Sequence, residues 1–264
     1  MLPTLFVSHG APTLLLSDAP AKGFMAAMPA ALPERPRAIV IVSAHWETQT
    51  PMVTGPGTLE TIHDFGGFPR ALFEMRYPAS GDAALTKKVV DVLAAAGFPA
   101  RSDPRRGLDH GAWVPLMLMY PKADVPVIQV SVQYGQGVEH HLALGRALAP
   151  LREEGVLIVG SGSFTHDLSS FGAHRGFEDY AEPEWVTSFA DWFDAALASS
   201  RVDDLVGYRD LAPNARRNHP TEEHLMPLFV ALGAAGEGAH SKRLHASTTH
   251  AVLRMDAYAF GGTE

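Results

Sequence analysis

Three histidines follow apolar segments of the sequence at the points where those segments turn polar. They are His9 after residues 5–7, His45 after residues 38–42, and His166 after residues 156–159. Neutral imidazole is the most common side-chain ligand of metal ions in proteins. Because ligands bind beside the carboxyl ends of strands in open α/β sheets, histidines that recur at this position predict a shared site.

A fourth candidate lies in the segment His-Pro-Thr-Glu-Glu-His at residues 219–224. The apolar residues that follow it recur at helical spacing and predict a helix over residues 220–235 with proline at its first position. On that helix Glu223 points away from the apolar stripe and we expect it to be solvated, while His224 and Glu222 lie on opposite flanks. One metal cannot easily take both, so His224 is the predicted ligand and Glu222 is the alternative.

The chain has no cysteine, so a metal site here would be built from histidines rather than thiolates. An open imidazole cluster suits Fe(II), Zn(II), Mn(II) or Cu(II), and composition does not choose among them. Of the 13 histidines, His110 precedes a predicted helix and is a candidate base or hydrogen-bond donor, and His63 beside Asp64 is a candidate pocket residue. We expect His140 and His141 on the surface of a helix. The histidines without supporting context are His174, His240, His245 and His250.

The segments that carry these histidines predict an α/β fold. Residues 38–42 are apolar and mostly β-branched, as in a strand of a parallel sheet covered on both faces. The predicted strands are 5–7, 38–42, 52–54, 126–132, 156–159, 243–247 and 252–260, and the predicted helices are a short one ending near 29, then 69–75, 82–96, 112–120, 138–154, 182–199 and 220–235. Residues 62–69 and 101–111 are predicted loops. We therefore predict a single domain over residues 1–264, with a central, mostly parallel sheet, helices on both faces and the metal site at the strand carboxyl ends.

Composition limits the functional classes. The chain has 264 residues, of which 46% are hydrophobic and 19% charged, with a net charge of -8 and no basic run. Phosphate binding needs clustered Lys and Arg, so we expect no nucleic-acid partner. No apolar run approaches the roughly 20 residues of a membrane span, and no signal peptide is recognisable. Together with the lack of cysteine, this favours a cytoplasmic location.

Six segments of the sequence resemble the class III extradiol ring-cleavage dioxygenases, and most of all their DOPA 4,5-dioxygenase branch. They follow the family's order over nearly the whole chain and read Phe-Val-Ser-His-Gly-Ala-Pro (6–12), Val-Ser-Ala-His-Trp-Glu (42–47), Ile-His-Asp-Phe-Gly-Gly-Phe-Pro (62–69), Leu-Asp-His-Gly-Ala-Trp-Val-Pro-Leu (108–116), Gly-Ser-Gly-Ser-Phe-Thr-His-Asp-Leu (160–168) and His-Pro-Thr-Glu-Glu-His (219–224). The resemblance implies an α/β core with one metal at the strand carboxyl ends.

Carried over by position, the resemblance implies that His9, His45 and His224 are metal ligands and that His166 is the active-site base. In some zinc-loaded members of the branch the residue matching His166 is treated as a ligand, so we also keep it as a fourth ligand. His110 is the second predicted catalytic residue. The wider class uses two histidines and one glutamate, whereas this chain has a histidine in the third place.

The implied function is the opening of a catechol ring, of DOPA or a similar compound, by O2 to a muconic semialdehyde. The predicted substrate contacts are His63, Phe65 and Ser163, and the branch more often has tyrosine in place of His63. We expect one divalent metal per chain, Fe(II) for turnover or Zn(II) as bound, in a monomer or small homo-oligomer. Two alternatives stay open: a zinc hydrolase on the same histidines, and a metal-binding relative without turnover.

Overall fold

An eight-stranded sheet forms the centre of the computed structural model, which describes residues 1–171 and 181–262. Two pairs of short strands lie outside the sheet. The strands of the described residues are β1 (Thr4–Ser8), β2 (Ala38–Thr48), β3 (Met52–Thr54), β4 (Gly57–Thr58), β5 (Ser80–Gly81), β6 (Arg101–Asp103), β7 (Val127–Gln133), β8 (Val156–Gly162), β9 (Ser241–His245), β10 (Thr248–Thr249), β11 (Leu253–Arg254) and β12 (Ala257–Phe260). The order across the large sheet is β6-β3-β7-β2-β8-β1-β12-β9.

The middle of the sheet is parallel. β2 pairs in parallel with both β7 and β8, and β1 pairs in parallel with β8. β12 and β9 form an antiparallel edge beside β1, and β3 runs antiparallel to β7. The predicted, mostly parallel sheet is confirmed, and β1, β2 and β8 run toward the same edge of it.

Helices cover both faces of the sheet, as predicted. They are α1 (Pro20–Ala31), α2 (Arg70–Glu74), α3 (Ala83–Ala95), α4 (His110–Met119), α5 (Gly137–Leu148), α6 (Leu168–Phe171), α7 (Glu184–Ala198), α8 (Val202–Val206), α9 (Tyr208–Leu211), α10 (Ala215–Asn218) and α11 (Met226–Ala235), with 3-10 helices at Pro12–Leu16 and Ala149–Glu154. Side chains alternate along a strand, so Ile39 and Ile41 of β2 pack with α1 and α4, whereas Val40 and Val42 pack with α5, α7 and α11. No helix of the described residues is long and apolar enough to cross a membrane.

β2 is longer than the apolar pattern predicts. It continues beyond Val42 as far as Thr48. Its pairing with β7 passes directly from Ser43 to Glu47, so the residues between them bulge out of the ladder. A bulge changes the direction of the side chains it carries, and His45 lies within this one rather than past the end of the strand.

The predicted helix over residues 220–235 begins too early. α11 starts at Met226, because the segment before it is held against the end of β8. The Ser163 N–H donates to the His224 carbonyl at 2.9 Å, and a helix beginning at residue 220 would need that carbonyl for its own ladder. The helical positions predicted for the two preceding glutamates therefore do not apply.

Three other elements differ from the predicted ones. The predicted loop 101–111 contains β6 and the first residues of α4. The predicted helix 138–154 becomes a 3-10 helix from Ala149 onward, next to Pro150, which has no N–H for a helical hydrogen bond. The predicted closing strand 252–260 is divided into β11 and β12.

The predicted surface position of His141 is wrong. Its side chain is fully buried, and its Nε2 accepts a hydrogen bond from the Gln133 N–H at 3.1 Å while its Nδ1 donates to the Gly137 carbonyl. His140 is half-buried and donates to Oε1 of Gln133 at 3.0 Å. Both histidines therefore connect α5 to the end of β7 rather than facing solvent.

Candidate active site

Three of the predicted ligands meet at the carboxyl edge of the parallel strands. His9 directly follows β1, His45 lies in the bulge of β2, and His224 lies in the turn before α11. The Nε2 atom of His45 is 3.1 Å from Nε2 of His9 and 3.2 Å from Nε2 of His224. Nitrogen ligands about 2.1 Å from one ion lie about 3.0–3.4 Å apart in octahedral or tetrahedral geometry. The spacing of these nitrogens therefore fits a single metal ion.

The three imidazoles are neutral at pH 7, as metal ligands must be. Burial lowers the pKa of His9 and of His224 well below the usual value, and the neighbouring histidines lower both further. Burial and the nearby His110 lower the pKa of His45 to about 4, against the opposing effect of nearby carboxylates. Each ring therefore has one nitrogen with a free electron pair.

Hydrogen bonds decide which nitrogen of His9 is free. Nδ1 of His9 lies 3.0 Å from the Ser161 hydroxyl, which itself donates to the Gly111 carbonyl. Because the hydroxyl hydrogen is used there, the Ser161 oxygen accepts from His9 Nδ1–H. The electron pair of His9 is thus on Nε2, the atom that faces the other two histidines.

Carboxylates orient the other two candidate ligands. Nδ1 of His224 donates to Oε1 of Glu223 at 2.9 Å, and Nδ1 of His45 lies 3.5 Å from Oδ2 of Asp64. Carboxylates behind ligand histidines hold the tautomer and raise the basicity of the other nitrogen. The predicted solvated position of Glu223 is wrong, since only 19% of its side chain is exposed.

His110, at the start of α4, forms a pair with Asp64. One oxygen of Asp64 accepts from both the backbone N–H of His110 at 2.9 Å and its Nδ1 at 3.0 Å. Burial alone would raise the pKa of Asp64, but the hydrogen bonds from His110 and the nearby His45 bring it down to about 2. Asp64 is therefore ionised and fixes Nδ1 of His110 as the donor, which leaves Nε2 of His110 free for a ligand in the site.

His166 lies against the cluster. Its ring stacks on that of His224 with centroids 3.4 Å apart. Its backbone N–H donates to the Asn218 carbonyl at 2.8 Å, and His219 Nε2 donates to the Phe164 carbonyl at 3.0 Å. Burial lowers the pKa of His166 to about 4, although Glu223 opposes this, so His166 is also neutral at pH 7.

Two glycines let the ligand-bearing segments approach. A Cβ at Gly162 would lie 2.0 Å from the His224 carbonyl oxygen, and a Cβ at Gly111 would lie 2.3 Å from the Ser43 hydroxyl and 2.9 Å from Cδ2 of His45. Real side chains do not tolerate contacts this short, so an alanine at either place would displace a candidate ligand. The glycines of the Gly-Ser-Gly-Ser and Asp-His-Gly segments thus allow the neighbouring segments of the site to pack closely against them.

A cavity of about 310 Å³ opens onto the histidines. Its described lining residues are His9, Gly10, Ala11, Pro12, His45, Phe65, Phe68, His110, Ser163, His166, Leu168, His224 and Leu253. Phe65 and Ser163, predicted to contact substrate, lie on this wall. His63 does not: it donates to the Met75 carbonyl at 3.1 Å and lies behind Phe65, with ring centroids 5.7 Å apart.

Glu222, the alternative ligand, points elsewhere. It accepts a hydrogen bond from the Tyr208 hydroxyl at 3.1 Å and lies 3.8 Å from Arg209 Nε. Among the described residues, the side-chain groups placed to hold a metal are His9 with His45 and His224, His45 with Asp64 and His110, and His166 with Glu223 and His224. His174 lies outside the described residues. The roles of Asp64 and Glu223 depend on tertiary contacts and do not follow from the sequence pattern, although each is next to or near a candidate histidine in the sequence.

Comparisons with known proteins agree on one kind of enzyme. The chain is 43% identical over 263 residues to the 4,5-DOPA dioxygenase extradiol of Beta vulgaris, covering 98% of this chain and 97% of that protein. It is 41% identical to the 4,5-DOPA dioxygenase extradiol of Escherichia coli strain K12, over 88% of this chain and 85% of that protein. It is 34% identical to Dioxygenase tasH of Hapsidospora irregularis, over 100% of this chain and 87% of that protein.

A similar solved structure and a family match each cover nearly the whole chain. A crystal structure of an uncharacterised protein from Escherichia coli K12 superposes with a TM-score of 0.81 at 33% identity, covering 99% of this chain and 100% of that one. Residues 3–260 match the family described as the catalytic LigB subunit of aromatic ring-opening dioxygenase. The chain therefore belongs to this family of extradiol aromatic ring-opening dioxygenases.

Proposed function

We propose that this dioxygenase opens a catechol ring beside its two hydroxyl groups, with O2 and one divalent metal held by His9, His45 and His224. The observation that carries the proposal is the convergence of three neutral Nε2 atoms, with His45 Nε2 lying 3.1 and 3.2 Å from the other two. The names of the relatives support it, because DOPA is itself a catechol.

We propose Fe(II) for turnover, because Zn(II) has no redox chemistry with which to activate O2, and Zn(II) as the ion most readily retained. Imidazole nitrogens suit both ions, and Zn(II) binds such ligands more tightly than Fe(II). When bound, the metal would hold the catechol oxygens and O2 side by side and stabilise the negative charge that develops on them. Three protein ligands leave open positions for this chemistry.

The proton transfers fall to His166 and His110. His166 is neutral at pH 7 because burial lowers its pKa to about 4, so its ring can accept a proton from a catechol hydroxyl. The Nδ1–H of His110 is held by Asp64, so Nε2 of His110 can accept a proton and return it to the opened product. Both rings line the cavity, where either can reach a bound substrate.

The two carboxylates beside the cluster favour this reaction over zinc-dependent hydrolysis. In zinc hydrolases of the His-Glu-x-x-His type, a glutamate acts as general base on the metal-bound water. Glu223 and Asp64 instead accept hydrogen bonds from the Nδ1 atoms of His224 and His110. Their role in the structure is to orient imidazoles.

The expected product is a muconic semialdehyde, which with DOPA as substrate would cyclise to betalamic acid. DOPA or a similar catechol is the proposed substrate, and the ion in the cell is proposed to be Fe(II). The cytoplasmic location and the monomeric or small homo-oligomeric state stay predictions.

The proposal is tested by loading the metal-free protein with Fe(II) without oxygen and then adding catechols and O2. We expect oxygen uptake in equal amount to catechol consumed, together with a yellow ring-opened product. The matched control is the same protein loaded with Zn(II), which we expect to take up no oxygen. Hydrolysis of an ester or amide by the zinc form, with no oxygen uptake by the iron form on several catechols, would contradict the proposal.

A further inference from the structure

We infer that Asp109 is a positioning residue of the metal site, whose carboxylate holds the β2 bulge that carries His45 against the start of α4. The inference rests on the proposed function, because it takes His45 to be a metal ligand. The side chain of Asp109 is fully buried, and it reaches the bulge through two links, one made by Ser43 and one made by Arg106.

Ser43 connects the carboxylate of Asp109 to the backbone of His45. The Ser43 hydroxyl donates to Oδ1 of Asp109 at 2.6 Å and accepts a hydrogen bond from the His45 N–H at 3.2 Å. The bulge takes His45 out of the ladder with β7, so its N–H needs a partner from elsewhere. Because Asp109 takes the hydroxyl hydrogen, the Ser43 oxygen keeps an electron pair for that N–H.

Arg106 forms the second link between Asp109 and the bulge. Its Nη2 donates to Oδ2 of Asp109 at 2.7 Å, and its guanidinium lies over the ring of Trp46 at 5.0 Å. Trp46 directly follows His45 in the bulge. Gln129 of β7 donates its Nε2 to the same Oδ2, so the carboxylate also connects the bulge to the neighbouring strand.

The same carboxylate caps the helix that approaches the bulge. Oδ1 of Asp109 accepts a hydrogen bond from the Ala112 N–H at 3.2 Å, in the first turn of α4. Beside this turn the rings of His45 and His110 lie with their centroids 3.9 Å apart. Because the ligands of a binding site must be held to within about 0.5 Å, contacts that fix the bulge against α4 also fix the position of His45.

Helix capping alone does not account for these contacts. Asp82 caps α3 with an exposed side chain, which accepts from the Leu85 N–H at 2.7 Å. Burial of a carboxylate is costly unless its oxygens are paired. Two of the donors that pair Asp109 are side chains of β2 and β7, Ser43 and Gln129, so the buried carboxylate connects elements that a cap does not need.

The test separates capping from positioning with variants whose Zn(II) affinity is measured by competition with a chelator. Asp109→Ser keeps a good capping oxygen, but a single short hydroxyl cannot also reach Ser43. Ser43→Ala removes only the hydroxyl between Asp109 and His45. We expect each variant to bind Zn(II) about 10-fold or more weakly than wild type, as when other supports of ligand histidines are removed. Asp109→Asn keeps the shape and one oxygen for Ser43, and its affinity should lie closer to wild type than that of Asp109→Ser.

Two further measurements identify a merely structural role. Asp82→Ser makes the matched change at the cap of α3 and should leave Zn(II) affinity unchanged. The visible spectrum of Co(II)-loaded protein reports the geometry of the ligands, and we expect Ser43→Ala to change it. A residue needed only for folding would lower the free energy of unfolding in urea and leave that spectrum as in wild type.

The outcomes separate the inference from the proposed function. If Ser43→Ala keeps wild-type Zn(II) affinity and the wild-type Co(II) spectrum, the inference is overturned and the proposed function stands. An equal loss of affinity in Asp82→Ser would overturn it as well, because loss of a cap would then suffice. Should Asp109→Ser not fold, Ser43→Ala decides. If wild-type protein binds neither Zn(II) nor Co(II), the proposed function fails and takes the inference with it.

Discussion

Replacement of Glu223 by glutamine should weaken metal binding without removing any ligand. Oε1 of Glu223 accepts hydrogen bonds from His224 Nδ1 and from the Thr221 hydroxyl, both at 2.9 Å. In Glu223→Gln the acceptor is neutral, so the Nδ1–H is held less strongly and Nε2 of His224 becomes a weaker electron donor to the metal.

The size of the effect follows from the geometry of this contact. A hydrogen bond to a charged acceptor contributes about 1.5–3 kcal/mol, and the glutamate side chain is only 19% exposed, so solvent screens it little. A loss of about 1.4–2.7 kcal/mol corresponds to 10–100-fold in affinity, which is the usual effect of removing such a partner of a ligand histidine.

The assay is competition for Zn(II) and Fe(II) against a chromophoric chelator at pH 7.5. The matched control is Glu222→Gln, which makes the same change of charge one residue away, on a carboxylate that contacts Tyr208 and Arg209. We expect near wild-type affinity for the control. Equal affinities of Glu223→Gln and wild type, or a larger loss in Glu222→Gln, would refute the assignment of Glu223 as the residue that orients His224.

Four further predictions concern single residues. His9→Ala should lose the metal while keeping the circular dichroism spectrum of the wild type; elemental analysis that finds full metal content would place the site elsewhere. His166→Gln should lower turnover by roughly 10²–10⁴-fold with metal content unchanged, and depletion of the metal instead would make His166 a ligand. Gly162→Ala should destabilise the protein by about 1–3 kcal/mol in denaturant unfolding and weaken metal binding, because its Cβ would meet the His224 carbonyl oxygen; unchanged stability would contradict that contact. Burial lowers the pKa of His141 to about 4, so as the pH drops from 6.5 toward 4 the unfolded chain takes up a proton first and the free energy of unfolding falls by up to about 3 kcal/mol. The metal-free His141→Gln variant should lose that part of the pH dependence. If the free energy of unfolding of the variant depends on pH as that of the wild type does, His141 is not its source.

The parallel core of the sheet was readable from local sequence. The run of apolar residues 38–42 packs with helices on both faces, and a strand buried on both faces has no polar position at which to alternate. The same reasoning applied to β1 and β8. Because parallel strands end at one edge of a sheet, the apolar pattern also predicts that His9, His45 and His166 lie close together.

The position of His224 was decided by distant parts of the chain. Helical periodicity predicted that the helix begins at residue 220, but a hydrogen bond from Ser163 to the His224 carbonyl holds the segment in a turn. Periodicity reports which side chains are apolar and carries no information about which backbone groups another strand will pair. The turn is what brings Nε2 of His224 to His45.

The sequence by itself determined the kind of site, since its residue types and strand ends specify imidazole ligands at the carboxyl edge of a parallel sheet. Only the tertiary structure decided which nitrogens of these histidines face one another, through the contacts of His9 with Ser161 and of His224 with Glu223. The physical reason is that apolar pattern and strand length are local properties of the chain. A tautomer depends on a hydrogen-bond partner, and for His9 that partner is 152 residues away.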